Sequence, residues 1–401
     1  MRYPIEMVGL KGNIKYAQAT KLLNLILNRQ EPDLVILGSL YGNERANIIH
    51  SDICEFIEKF LIPFNTKRQH QYSAPEIISK SRLAVEMDPA FQKLHSEILL
   101  WKIPETKLFE PFYGEYSEFA AQTVSLFLEN KLVRKCGIPS AAHLNRVGVL
   151  PSTLGFNKEG HFRYSGIAIG HDFIEDLLFK LKDENNKLYG FTRYHEFLEK
   201  FIPKELREGI SILTNHYDLL INFAQRSLAR KNSFIGLKNI IDELELLSKT
   251  DNFPLLKYLE AALNLLKSLE FEQNDPDELR WLCYKKLFIS DLAREAKESG
   301  DNRIFEIKSL DLSDNGHGIG SLSVDSKIKN LIKQTIWSNE GFQMGVNWQP
   351  LNEKIMELHE DCLVYAEYII VKDLLEQRSS QDFIISGLHK INLLAPVLYT
   401  D

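Results

Sequence analysis

The feature that most constrains the fold is a group of ionisable side chains inside an apolar segment. Residues 167–181 show the apolar spacing of a helix, yet they include His171, Asp172, Glu175 and Asp176. Helical residues three or four positions apart share a face, so one face would carry an imidazole and three carboxylates. Burying several acids is costly unless a cation balances them. The segment therefore predicts a helix that faces a divalent metal ion.

A simpler interpretation of this segment stays open, because a His-Asp pair often arises by chance. The alternative is a partly exposed amphipathic helix in which His171-Asp172 has no function. His143, a third candidate ligand, lies upstream and opens a short helix. It follows a loop at 134–140, where a glycine and a proline interrupt the helical pattern. His143 adds modest support for a metal site.

The rest of the chain favours an all-α fold. Residues 49–61 and most of 216–275 have apolar side chains at helical spacing. Residues 34–38 are apolar and short, and we interpret them as part of a helix or a buried turn. The alternation of strands and helices that is typical of a doubly wound sheet is absent. The 401 residues suffice for two or three domains, or for one large helical domain with additions.

Composition and charge exclude several classes of function. The net charge of −7 gives no overall electrostatic basis for binding DNA or RNA. No apolar run reaches the length of a membrane span, and the N-terminus lacks the apolar core of a signal peptide, so we expect a cytoplasmic protein without membrane contact. The cysteines are scattered, without a CxxC pair, and are expected to be free thiols. They are Cys54, Cys136, Cys283 and Cys362.

Three separated motifs together resemble one known family. The sequence R-K-C-G-I-P at 134–139 is followed by His143, H-D-x-x-E-D occupies 171–176, and I-K-x-x-D-x-x-x-N occupies 307–315. Their order and sequences are similar to those of the Rel/SpoT-type (p)ppGpp hydrolases. These are HD-superfamily enzymes that remove the 3′-pyrophosphate from the alarmone. Leu213-Thr214 is similar to a hydrophobic-Thr segment between the second and third motifs.

The resemblance implies a role for each motif residue. Two imidazoles and two carboxylates would hold a divalent ion, usually Mn²⁺ in this family, with open positions for water and a phosphate oxygen. A further carboxylate pair, Glu175 and Asp176, would position and deprotonate the attacking water. The implied metal ligands are His143, His171, Asp172 and Asp311. The implied substrate contacts are Arg134 and Lys135 at the phosphates, Cys136 in the first loop, Asn315 at the nucleotide, and Lys308 as a further cation.

Three departures from the family pattern bear on the substrate. Cys136 replaces the family's serine, which would alter contacts to the base or sugar. The separation of Asp172 and Asp311, 139 residues, is roughly twice that expected of the family. Residues 216–275 are the predicted insertion. The residues after Gly320 have helical patterns, so the nucleotide-synthesising domain of bifunctional members is not expected.

Weaker candidates surround these motifs. Asp218 is the main rival to Asp311 as the fourth ligand, and the full third motif favours Asp311. The glycine-rich segment 315–320 is interpreted as a flexible turn rather than a phosphate-binding loop, because it follows no strand and lacks a P-loop lysine. His161 and Arg163 are interpreted as solvated loop residues. Cys136 as a nucleophile is less favoured than its place in the loop beside the metal site.

The sequence therefore predicts an all-α HD-type hydrolase core at 112–330, with the insertion at 216–275, a helical region at 1–111 and a helical cap at 331–401. The expected reaction converts (p)ppGpp to GDP or GTP and pyrophosphate. Two alternatives stay open. One is a phosphohydrolase or phosphodiesterase that acts on another nucleotide. The other is a catalytically idle nucleotide sensor, which the presence of both Glu175 and Asp176 disfavours.

Overall fold

The computed structural model describes most of the middle of the chain. The described residues are 85–135, 137–156, 162–269, 276–300 and 302–317, parts of 30–54, and isolated residues at 25, 326, 327, 330, 333 and 337. They are predominantly helical and contain no β-strand. Two isolated β-bridges, Val133 to Pro139 and Lys182 to Leu188, are the extended pairings among them. The predicted all-α class is confirmed.

The chain divides into two compact units. One unit comprises Met1–Lys80, Leu312–Asn339 and Met356–Asp401, and the other comprises Ser81–Asp311 and Glu340–Ile355. The boundary between Asp311 and Leu312 falls within a helix. The domain limits predicted from the sequence stay a prediction.

The described α-helices with defined bounds have four to 16 residues. In chain order they are α1 Leu34–Tyr41, α2 Pro89–Leu99, α3 Glu110–Tyr113, α4 Ser117–Glu129, α5 Ser140–Thr153, α6 Arg163–Ile169, α7 Phe173–Leu177, α8 Tyr194–Phe201, α9 Lys204–Leu213, α10 His216–Arg230, α11 Leu237–Ser248, α12 Leu256–Lys267, α13 Pro276–Cys283, α14 Ile289–Ser299 and α15 Asn302–His317. A π-helical turn, Tyr284–Phe288, lies between α13 and α14. No described helix has both the length and the apolar character needed to cross a membrane.

Side-chain caps begin several of these helices. The Asp33 carboxylate accepts hydrogen bonds from two backbone N–H groups in the first turn of α1. Asp88 does the same for α2, where Pro89 occupies the first helical position. The Asn215 side chain accepts from the backbone N–H of Asp218 at the start of α10. These caps satisfy donors that a helix N-terminus leaves without an intrahelical partner.

An aromatic cluster fixes α7, the short helix after the His-Asp pair. The Phe173 ring centroid lies 5.9 Å from that of Phe119 on α4 and 5.7 Å and 6.2 Å from those of Phe197 and Phe201 on α8. Phe173 is fully buried. Burial of a large side chain of this kind contributes roughly 1.5–3 kcal/mol to stability. The cluster therefore holds α7 firmly against α4 and α8.

Helices α5 and α6 pack closely because a glycine lies between them. A Cβ atom at Gly148 would come within 2.5 Å of the Tyr113 hydroxyl and 3.0 Å of Ile169 Cβ. Both neighbours are fully buried, so a larger residue would displace packed atoms. The close approach brings the start of α5 near the chain that follows α6.

Three local predictions were wrong. Arg163, interpreted as a solvated loop residue, is half-buried and is the first residue of α6. Residues 167–181 are not one helix, because α6 ends at Ile169 and α7 begins at Phe173. The Gly170 backbone N–H bonds to the carbonyls of both Gly166 and Ile167, which tightens and ends α6. The glycine-rich segment at 315–320 is not a turn throughout, because α15 continues to His317. Residues 318–320 lie outside the described residues.

Candidate metal centre

Helix α5 supplies the first predicted ligand. The loop before it is closed by hydrogen bonds from Arg134 N to the Ile138 carbonyl and from Ser140 N to the Leu132 carbonyl, 2.9 Å each. Helix α5 starts at Ser140, so His143 lies in its first turn. The His143 side chain is 1% exposed.

The turn between α6 and α7 supplies the next two candidates. His171 Nδ1 lies 2.6 Å from the carbonyl oxygen of Ala168, a contact that places the Nδ1 proton on the carbonyl side. The ring nitrogen Nε2 is then the one available to bind a metal ion. Asp172 follows immediately and is partly exposed, at 23% of its side chain. The pair therefore lies in a tight turn, and the helical face inferred from the sequence does not exist.

Helix α15 supplies Asp311 from a distant part of the sequence. Its carboxylate is buried, and Oδ2 accepts a hydrogen bond from Lys308 Nζ at 2.7 Å. Lys308 is buried as well, with Nζ 5.7 Å from the ring centroid of Phe288 in the π-helical turn. Lys308 was predicted to contact the substrate, and the structure places it as the ion-pair partner of Asp311. The other oxygen, Oδ1, faces the two histidines.

The side chains of His143, His171, Asp172 and Asp311, which we call the inner cluster, converge. The Nε2 atoms of His143 and His171 are 3.2 Å apart. Asp311 Oδ1 lies 3.3 Å and 3.4 Å from them, and these three ligand atoms are mutually close enough to share one ion. Asp172 Oδ2 lies 3.3 Å from His171 Nε2 and 3.7 Å from His143 Nε2. Residues distant in sequence therefore meet at one point.

The donor set fits a divalent ion. Ligand bonds of about 2.1 Å at a tetrahedral ion place neighbouring donor atoms about 3.4 Å apart. The separations that involve an imidazole nitrogen of the inner cluster, 3.2–3.7 Å, are close to that value. Imidazole nitrogen with carboxylate oxygen suits a borderline or hard divalent ion. His143, His171 and Asp311 could each contribute one ligand atom to a shared ion, and Asp172 Oδ2 approaches the same two imidazole nitrogens.

The ionisable side chains of the inner cluster strongly change one another's pKa values. Burial by itself would lower the pKa of His171, but the carboxylates of Asp172 and Asp311 outweigh it and raise this pKa to about 10. Burial would raise the pKa of Asp172, and His171 reverses the effect and lowers it. The pKa of Asp311 is held well below its usual range by Lys308 and His171, against the effect of burial. Each negative charge thus depends on a positive neighbour.

The two predicted catalytic carboxylates, Glu175 and Asp176, have raised pKa values, whereas those of Asp172 and Asp311 are lowered. Burial, followed by repulsion from Asp172, raises the pKa of Glu175 to about 8. The same two causes raise the pKa of Asp176 to about 6, and the cations Lys180 and Arg134 oppose the rise. Both groups lie in the first turn of α7. Their raised pKa values are typical of carboxylates that exchange protons.

One residue that holds Glu175, Asn215, was not predicted from the sequence. The backbone N–H of Asn215 donates to Glu175 Oε1 at 2.6 Å. Because Asn215 is the N-cap of α10, the carboxylate lies at the N-terminus of a 15-residue helix, where negative charge is favoured. Helix α10 is the first helix of the segment predicted as an insertion. A backbone donor leaves no side-chain pattern, so only the N-cap signal of Asn215 could have indicated it.

The described residues among the predicted substrate contacts lie in different parts of the fold. Arg134 is partly buried and Lys135 exposed, and both lie in the loop before α5. Cys136 lies outside the described residues, as does His161. Asn315 is on α15, one turn beyond Asp311 and past the unit boundary.

Asp218, the rival fourth ligand, has another partner. Its carboxylate pairs with the Arg280 guanidinium through contacts of 2.5 Å and 2.7 Å. Its backbone N–H is bound to the Asn215 side chain at 3.1 Å. Asp218 therefore ties α10 to α13, and Asp311 is the distant carboxylate that reaches the two histidines.

Comparison with known proteins adds no assignment. No family model, no curated protein and no solved structure matches this chain. The interpretation of the inner cluster therefore rests on its own geometry and on the motifs in the sequence.

Proposed function

We propose that the chain is a metal-dependent phosphohydrolase with an HD-type core, and that its substrate is a nucleotide 3′-pyrophosphate of the (p)ppGpp class. One observation carries the proposal. His143, His171 and Asp311 come from three separate motifs, and their ligand atoms lie 3.2–3.4 Å apart. These motifs are the ones that resemble the hydrolase family.

The inner cluster would hold the divalent ion. Such an ion supplies Lewis acidity and neutralises charge on a phosphoryl group when it is bound. The protein fixes its ligands in advance: the Ala168 carbonyl orients His171, and Lys308 orients Asp311. Partners of this kind set ring orientation and ligand basicity at metal sites.

Glu175 and Asp176 would handle the proton of the attacking water. The oxygen of water forms a bond to phosphorus, the bond from phosphorus to the 3′ oxygen breaks, and pyrophosphate leaves. The proton lost by the water passes to a carboxylate, and the 3′ oxygen takes a proton from solvent. The Asn215 N–H holds Glu175 Oε1, so Oε2 is the oxygen that exchanges a proton. A pKa near the working pH suits this role.

Arg134 and Lys135 would bind the substrate phosphates. Arg134 is near enough to Asp176 to oppose the rise in its pKa, so a cation accompanies the carboxylate pair. A guanidinium matches two phosphate oxygens in a planar, bidentate contact, and the neighbouring exposed ammonium adds a point charge. The loop that carries both cations leads directly into α5 and His143.

A second candidate keeps the chemistry and changes the substrate. The inner cluster is complete within Ser81–Asp311, whereas the predicted nucleotide contact Asn315 belongs to the other unit. The support for phosphoester hydrolysis is therefore independent of the support for (p)ppGpp. The alternative substrates are other nucleotide phosphomonoesters and phosphodiesters.

The test is an assay of the full chain with Mn²⁺ on a substrate panel. The panel holds ppGpp, GDP as the matched compound without a 3′-pyrophosphate, NADPH, a cyclic dinucleotide and deoxynucleotides. Pyrophosphate release from ppGpp supports the leading proposal, and turnover of another member alone supports the second. A Glu175→Ala, Asp176→Ala double variant separates an enzyme from a sensor. Cellular function that survives in this variant would contradict catalysis.

A further inference from the structure

A second group of metal-binding side chains lies near the N-terminus, in the unit that includes Met1–Lys80. Glu31, His50 and Cys54, which we call the N-terminal cluster, each offer one ligand atom, and all three atoms lie within 4.8 Å of one another. His50 Nε2 is 3.1 Å from Glu31 Oε1. Cys54 Sγ is 3.9 Å from His50 Nε2 and 3.7 Å from Nδ1.

Local structure brings these residues together from two segments. His50 and Cys54 are helical residues four positions apart, so they share one face. Glu31 precedes α1, where Asp33 caps the helix through hydrogen bonds of 2.8 Å and 3.3 Å to backbone N–H groups. An ion at this point would therefore connect the segment before α1 with the helix after it.

The donor types indicate zinc rather than manganese. Thiolate sulfur is a soft ligand that favours Zn²⁺, whereas Mn²⁺ and Mg²⁺ favour oxygen. Zinc bonds of about 2.0–2.1 Å to nitrogen and about 2.3 Å to sulfur place tetrahedral N and S ligands about 3.5 Å apart, and N and O ligands about 3.4 Å apart. The observed separations of 3.9 Å and 3.1 Å differ from these by a few tenths of an ångström. The His50 ring would also have to turn on zinc binding, because Cys54 Sγ lies nearer to its Nδ1 than to its Nε2.

We propose that Glu31, His50 and Cys54 bind a zinc ion, with the fourth coordination position open to water. The Glu31 side chain is 77% exposed and His50 is 20% exposed, so an ion from solvent can reach them. The site differs from the inner cluster, whose imidazoles are 1% exposed and which includes no sulfur among its described ligands. The two sites should differ in metal preference, and the zinc site does not depend on the proposed hydrolysis.

Cobalt substitution of the purified full chain tests this site. Co²⁺ bound to a thiolate gives a charge-transfer absorption band in the near ultraviolet, and Co²⁺ bound to nitrogen and oxygen alone does not. We expect the wild type to show the band, Cys54→Ser to lose it, and Cys136→Ser to retain it. Cys136 is the matched control because it lies seven residues before His143 in the sequence.

Zinc affinity, measured by competition with a coloured zinc indicator, supplies a second measurement. His50→Gln and Glu31→Gln should weaken Zn²⁺ binding by at least about tenfold, the loss that even outer partners of a metal site cause. Glu44→Gln, which alters another exposed carboxylate in the same unit, should leave it unchanged. Circular dichroism checks that each variant folds. A wild type without the cobalt band, or a band that persists in Cys54→Ser, would overturn the proposal and leave only an ion pair beside a thiol.

Discussion

The inner and N-terminal clusters contain similar contacts in different surroundings. Asp311 Oδ1 lies 3.4 Å from His171 Nε2, and Glu31 Oε1 lies 3.1 Å from His50 Nε2. The side chains of the inner pair are 1% and 4% exposed, whereas Glu31 is 77% exposed. Water screens the outer charges, and the inner charges must balance one another. Similar distances therefore correspond to unequal energies, and burial decides how strongly a cluster depends on a cation.

The clusters also differ in how protons and metal ions compete. In the inner cluster, the raised pKa of His171 means that a proton balances the two carboxylates when no metal ion does. A metal ion binds neutral imidazole and must displace that proton, so its affinity rises with pH. The N-terminal cluster includes a thiol, whose loss of a proton likewise accompanies metal binding. The inner cluster offers nitrogen and oxygen donors, whereas the N-terminal cluster also offers sulfur. This difference determines which metal ion each cluster prefers.

The largest difference between the clusters, in the free energy of unfolding, should follow from removing one histidine from each. His171→Ala leaves Asp172 and Asp311 without their shared imidazolium, and a broken buried pair costs about 3–5 kcal/mol. His50→Ala breaks an exposed pair, which should cost about 1 kcal/mol or less. Urea unfolding of both variants in the presence of a chelator measures the two losses. Equal losses would show that burial does not distinguish the clusters.

Glu175→Gln should separate catalysis from metal binding. The amide cannot accept the proton, so the rate of hydrolysis should fall by about 10²–10⁴-fold. The Mn²⁺ content should not change, because Glu175 is not a proposed ligand. Steady-state assays and metal analysis check the two expectations. Glu199→Gln, an exposed carboxylate change, is the matched control and should retain full activity. A comparable loss in both variants would contradict the role of Glu175.

Lysines provide the next comparison. Lys308→Met removes the buried partner of Asp311 and should lower the free energy of unfolding by about 3 kcal/mol. Lys257→Met breaks a pair with Glu295 at 3.3 Å, in which the lysine side chain is 65% exposed. That loss should be about 1 kcal/mol or less. Denaturation midpoints measure both, and a larger loss in Lys257→Met would contradict the account.

A smaller effect on stability is expected from a change of pH in chelator-treated protein. The pKa of Glu175 is about 8 in the folded chain and 4.5 ordinarily, so the native state keeps its proton between these values and stability falls as pH rises. His171, with a pKa of about 10 against 6.5, adds a fall between those values. The lowered pKa values of Asp172 and Asp311 stabilise the fold fully above about pH 4, so they add no slope there.

The melting temperature of chelator-treated protein should therefore decrease between pH 6 and pH 9. Each 1 kcal/mol of lost stability lowers the melting temperature by about 2–4 °C in a unit of the size of Ser81–Asp311. Glu175→Gln should reduce the slope, because the amide does not titrate. A melting temperature that rises over this range in the wild type would contradict the assigned pKa directions.

Much of the fold could be predicted because helical periodicity is a local signal. The pattern of residues 216–275 predicted α10 to α12. The break at Gly170 was missed because apolar side chains continue across it. It depends on tertiary packing: a Cβ atom there would lie 2.5 Å from Ile210 on α9. Residues 315–317 were interpreted as part of a turn because their segment is rich in glycine, yet they belong to α15.

The motifs predicted the residues of the site, but the contacts among them follow from tertiary packing. Separated motifs predicted His143, His171, Asp172 and Asp311 as ligands, and their side chains lie close together in the structure. The sequence did not show that Lys308 faces Asp311, because positions three apart on a helix share a face without having to interact. The bond from Asn215 to Glu175 joins residues 40 positions apart and uses a backbone donor. Such contacts follow from packing rather than from local pattern.

The most direct test of the central claim compares the wild type with Asp311→Ala. Each purified chain is loaded with Mn²⁺, analysed for bound metal, and assayed for pyrophosphate release from ppGpp. The account predicts bound Mn²⁺ and pyrophosphate release in the wild type, and loss of both in the variant. Full metal content in Asp311→Ala, or a wild type that releases no pyrophosphate from ppGpp, would contradict it.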